Sequence, residues 1–86
     1  MYLHLGGGIV VSTASVLSIC DMDNATWSHR TREFLRKAEE DHRVENLAED
    51  IPRSFVVCAE GGIVTVYLSQ LSSTTLQRRA ETQSFE

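Results

Sequence analysis

The chain has 86 residues, 42% of them hydrophobic, with a net charge of −4 and a pI near 5.3. That length bounds it to one domain, and the apolar content is enough for a core and excludes a disordered chain. The acidic balance lacks the basic excess with which dedicated nucleic-acid binders neutralise phosphate, so any DNA contact would need a local basic patch repeated by symmetry.

Residues 2–5 read as a short strand, and Gly6, Gly7 and Gly8 as the turn that follows it. Ile9, Val10, Val11 and Ser12 make a second strand that pairs with the first as a hairpin. The β-branched run at 15–21 is a third strand. Asp23 or Asn24 is the expected N-cap of a helix at 25–41. Trp27, Thr31, Phe34, Leu35 and Ala38 then fall at i, i+4, i+7, i+8 and i+11, one helical stripe with Trp27 and Phe34 as its anchors. Glu33 and Lys37 form a favourable i,i+4 pair on this helix.

Segment 42–51 reads as a polar connecting loop ended by Pro52. Charge is segregated here: 30–37 holds four bases and one acid, whereas 39–50 holds six acids and one base. The clearest strands are 53–58 and 63–68, joined by a hairpin turn at Ala59, Glu60, Gly61 and Gly62. A short helix at 74–79, capped by Ser72 or Ser73 and carrying Leu76, closes a single domain over 1–80. Residues 81–86 form a flexible tail. The expected fold is thus α+β, an antiparallel sheet of about five short strands with one central and one terminal helix.

Phe55 and Val57 face one side of their strand, and Val56 and Cys58 the other. Both faces of this hairpin are apolar, unlike a sheet with one side in water. One helix covers one face. A neighbouring subunit is the economical cover for the second, and makes a homo-oligomer the expected state. The alternative is that the terminal helix and the first hairpin fold over it.

Chemistry is sparse. His4, His29, His42, Cys20 and Cys58 share no metal-ligand spacing, and no cofactor motif is present. Both cysteines lie in apolar runs that raise a thiol pKa rather than activate it. Both glycine clusters precede strands where a phosphate cradle requires a helix N-terminus. The acidic run at 39–50 has no EF-hand spacing. These features point away from an enzyme and from a small-molecule substrate. No signal peptide is expected, because the opening lacks a basic n-region. No membrane span is expected either, and the cytoplasm is the expected compartment. Arg30, Arg32, Arg36 and Lys37 read first as solvated helix charges, and Arg78 and Arg79 as partners of a helix C-terminus. Arg53 differs, because it follows Pro52 at a loop–sheet junction.

The opening Met1-Tyr2-Leu3-His4-Leu5-Gly6 with Val10-Val11-Ser12-Thr13, and Pro52-Arg53-Ser54 with the stretch from Tyr67 to Leu76, cover nearly the whole chain in a pattern that resembles the RemA/RemB family of bacterial extracellular-matrix regulators, on its RemB side. The resemblance implies a core akin to the LytTR domain and a role in expression of biofilm matrix genes. RemA-type members assemble into rings and wrap DNA through contacts that include an arginine pair before the strand that here begins near Arg53. Aligned on that strand, the pair falls at Asp50 and Ile51, so this chain lacks it and Arg53 is the remaining base. The implied reading is a non-enzymatic regulator, a homo-oligomer with duplex DNA as partner and Arg53 as the nucleic-acid-binding residue. Its rival is an oligomeric interaction or scaffold subunit that does not touch DNA.

Overall fold

The two-faced alternation at Phe55–Cys58 organises the molecule. The computed structural model describes residues 1–25 and 28–83. Strands β1 (Tyr2–Gly6) and β2 (Ile9–Ser12) pair as an antiparallel hairpin, and a 3-10 turn at Thr13–Ser15 leads into β3 (Val16–Asp21). A four-residue helix, α1 (Met22–Ala25), precedes α2 (His29–Glu40). Next come β4 (Val44–Asn46), β5 (Ser54–Glu60), β6 (Ile63–Ser69) and α3 (Ser73–Gln83). The main sheet has the order β3-β5-β6-β4, with β4 parallel to β6 and the other pairs antiparallel. Glu60 pairs with Ile63 across a two-residue turn whose glycines sit at φ 60° and 81°. Positive φ at both central residues matches the right-handed twist of the flanking strands and excludes side-chain-bearing residues of most kinds.

Each sheet face has its own core. On one, Val56 and Cys58 pack with Leu3, Leu5 and Leu76, so the β1–β2 hairpin and α3 form the lid. On the other, Phe55, Val57 and Val66 pack with Ala38 beneath α2. The second face of the β5–β6 hairpin is therefore covered from within the chain. The cover is the alternative to a neighbouring subunit: the first hairpin and the terminal helix, from opposite ends of the sequence, combine into one lid. The hairpin also approaches the main sheet closely. A Cβ on Gly7 would lie 3.1 Å from the Leu47 carbonyl oxygen, so any side chain there meets backbone.

Several other expectations are corrected. The strands form two sheets rather than one, and the segment expected as loop holds β4, whose three residues, two of them polar and exposed, carry too little alternation to register. Its parallel partner is more than twenty residues away, which no local pattern reveals. The helix begins later than its stripe suggests: the Ser28 hydroxyl accepts the Thr31 N–H at 3.5 Å as its cap, while Asp23 and Asn24 lie in α1. Trp27 lies outside the described residues. Phe34 is 38% exposed, because α2 sits over β4 and β6 and directs Leu35 and Ala38 inward. Glu33 pairs with Arg36 at 2.9 Å rather than with Lys37. The last helix, capped by Ser72 Oγ accepting the Thr75 N–H at 3.1 Å, runs on to Gln83.

The C-terminus of α2 closes as a Schellman motif. The Arg43 N–H donates to the Ala38 carbonyl at 2.8 Å and the His42 N–H to that of Glu39 at 3.1 Å. This requires His42 to adopt φ 58°, the one non-glycine residue with positive φ among the described residues. A Cβ in that region costs about 1 kcal/mol, which glycine avoids. His42→Gly should therefore raise the thermal midpoint by about 4–8 °C, with no change in the far-UV dichroism. An unchanged or lower midpoint in a calorimetric scan would contradict this.

Candidate nucleic-acid interface

Arg53 is held by its backbone and free at its side chain. Its N–H donates to the Ser69 carbonyl at 2.9 Å, and its carbonyl accepts the Met22 N–H at 3.1 Å. The residue thus bridges the end of β6 and the start of α1. Beneath it, Ser54 and Ser69 are cross-strand partners and both fully buried. Ser54 Oγ donates to the Leu71 carbonyl at 2.7 Å, Ser69 Oγ donates to the Leu5 carbonyl at 2.6 Å, and the Leu71 N–H donates back to Ser69 Oγ at 3.1 Å. These bonds tie the β5 start, the β6 end, the chain leading to α3 and the tip of β1 together. The guanidinium is exposed and makes no ion pair or hydrogen bond among the described residues.

Two of the other bases, Arg36 and Arg43, are engaged elsewhere. Arg36 is taken up by Glu33 at 2.9 Å and Glu40 at 2.6 Å on its own helix. The Arg36 hydrogen bond and charge hold the Glu33 carboxyl below its usual range, and the arginine is raised in return. Arg43 caps the Val64 carbonyl at 3.3 Å and pairs with Asp41. Arg30 stands on a groove with Leu17, Phe34, Phe55 and Val57 on the α2 side of the sheet. Asp21, Ser28, Phe55 and Ser73 line another groove, so the first turns of α2 and α3 come to the same end of β5 as Arg53.

Among the described residues no three His, Cys, Asp or Glu side chains group as metal ligands, and no helix is long and apolar enough to cross a membrane. Cys20 and Cys58 are free thiols. Burial pushes the Cys58 thiol up, a hydrogen bond from Ser15 partly offsets this, and the Glu60 charge adds to the rise. It is therefore a weak nucleophile in the folded chain.

A family model described as RemA-like, extracellular matrix regulatory protein A-like, matches residues 2–80. The chain is also 40% identical over 81 residues to Extracellular matrix regulatory protein B of Bacillus subtilis (strain 168), covering 94% of this chain and 91% of that protein. The chain belongs to the RemA-like family. Membership agrees with the opening Tyr2-Leu3-His4-Leu5 and the closing Leu71-Ser72-Ser73-Thr74-Thr75-Leu76, and the structure gives these stretches a shared task. They build the lid over Val56 and Cys58, with Leu3, Leu5 and Leu76 in one core. The stretches that carry the resemblance thus place Leu3, Leu5 and Leu76 in packing roles, with the exposed Arg53 elsewhere in the chain. Sequence reasoning missed the groove at Leu17 and Phe34. Its only signal was one apolar residue in each of two segments placed together by the fold.

Proposed function

We propose that this RemA-like protein is a non-enzymatic regulator of extracellular-matrix gene expression that binds duplex DNA as a homo-oligomer, with Arg53 on the DNA-facing rim. The observation that carries the reading is the exposed, unpaired guanidinium on a backbone fixed from both sides. A phosphate contact from such a residue needs little ordering, because the loop is already held. One arginine per subunit is a weak anchor, but a closed assembly repeats it, and linked weak contacts add as avidity. Self-association is favoured by the exposed Leu17 and Phe34 groove, large apolar groups that a lone chain leaves in water. With no base-reading pattern on a helix among the described residues, contacts are directed to the backbone and only weakly sequence-selective.

The test is a duplex-binding titration of wild type and Arg53→Ala at two salt concentrations, with light scattering on both. Wild type should scatter well above the 9.6 kDa monomer mass and bind. The variant should keep that mass, bind more weakly and lose about 0.9 of salt slope per phosphate contact removed. Wild type failing to bind even at low salt would remove the DNA reading in favour of an interaction scaffold. The acidic Asp50 and the Ile51 beside Arg53 specifically favour that alternative.

A further inference from the structure

At the other end of β5 the lid leaves a trough. The β1–β2 hairpin does not reach across the whole sheet face, and two cavities of about 250 Å³ and 500 Å³ share Thr65 and Tyr67 as their floor. Glu60 lines one and Glu45 the other. Both carboxylates are exposed and make no ion pair among the described residues. Tyr67 lines both cavities; burial raises its pKa, and the charges of Cys58, Glu45 and Glu60 raise it further.

One wall is the free edge of β2. The Thr13 N–H donates to the Met1 carbonyl at 3.0 Å, and Leu3 opposes Val11 two residues further along the ladder. Antiparallel alternation then turns the N–H and C=O of Val10 away from β1. No other strand pairs with β2 among the described residues. Ile9 packs inward and Val10 is exposed on the outer face, yet both line the Glu45 cavity, which places that cavity at the strand's edge.

We propose that this trough binds an extended peptide of a partner protein, laid along the β2 edge and carrying basic side chains that reach Glu45 and Glu60. The dimensions fit. Ile63 pairs with Glu60 and Tyr67 with Glu45, so the two acids are four residues apart along β6 and one strand to either side of it. That spans about 16 Å, close to the reach of five extended residues with a lysine at each end. Main-chain bonds to the strand edge supply affinity, and the two carboxylates select charge. A second copy of this chain is not the occupant. All eight of its Lys and Arg residues lie in helices or connecting segments, and none in a strand. The trough is also independent of Arg53, which precedes β5 where Glu60 ends it, about 23 Å along the strand.

The probe is a fluorescein-labelled Lys-Val-Thr-Val-Lys peptide, titrated by anisotropy against the full chain, with Glu-Val-Thr-Val-Glu as control. Wild type should bind the basic peptide and not the acidic one. Glu45→Gln combined with Glu60→Gln should weaken binding about tenfold while leaving the thermal midpoint unchanged, because both side chains face water. Amide shifts on titration should centre on Ile9, Val10 and Tyr67. No binding of the basic peptide at millimolar concentration, equal binding of the acidic one, or equal binding by the double variant would each overturn the proposal.

Discussion

Leu76→Ala is expected to cost about 3–4 kcal/mol of unfolding free energy, measured by urea denaturation. Leu76 is fully buried and is the fully buried residue that α3 sends into the core of Leu3, Leu5, Val56 and Cys58. Truncation removes its transfer energy and leaves a cavity that three separately anchored segments must collapse to fill. A chain of this length has about 4–13 kcal/mol in total, so the loss is a large fraction of its stability. Leu76→Met, which keeps the volume, should cost less than about 1.5 kcal/mol. Equal midpoints for the Ala and Met variants would show that the lid is held elsewhere.

Ser69→Ala is expected to be nearly as damaging, at about 3 kcal/mol, although it removes a single oxygen. That oxygen donates to the Leu5 carbonyl and accepts the Leu71 N–H, and the residue is fully buried. Its loss removes the partner of two main-chain groups, one buried and one part-buried, each costing about 1–3 kcal/mol. Ser54→Ala strands only the Leu71 carbonyl and should cost about half as much. Reversal of that order in denaturant midpoints would refute the two-partner account.

These serines mark how far the sequence could be read. The β5–β6 hairpin was legible to the side chain, because period-two alternation is local: Val56 and Cys58 do face away from Phe55 and Val57. Which of the two candidate covers, a subunit or the lid, lies over the second face was not legible, because it depends on contacts such as Ser69 to Leu5, 64 residues apart. Phe34 belongs to the expected helical stripe yet stays partly exposed, since a stripe gives a helix's apolar side but not the strands over which it is centred. Arg53 was singled out by its junction after Pro52 together with the family resemblance. The backbone bonds to Ser69 and Met22 that hold it there have no signature in composition.

The division into two cores also sets an order of events during synthesis. The core beneath α2 draws its buried and flanking residues from Cys20 to Leu68, so it is complete before the last helix exists. The core beneath the lid needs both Leu3 and Leu76. The β1–β2 hairpin, made before α3, must therefore wait for that helix to emerge before its apolar side is sheltered. Because it closes a long loop, its docking carries a substantial entropy cost. Until then Leu3 and Leu5 present two large aliphatic groups on a hairpin whose covering helix is missing, an interval in which a nascent chain is exposed to mispairing with another.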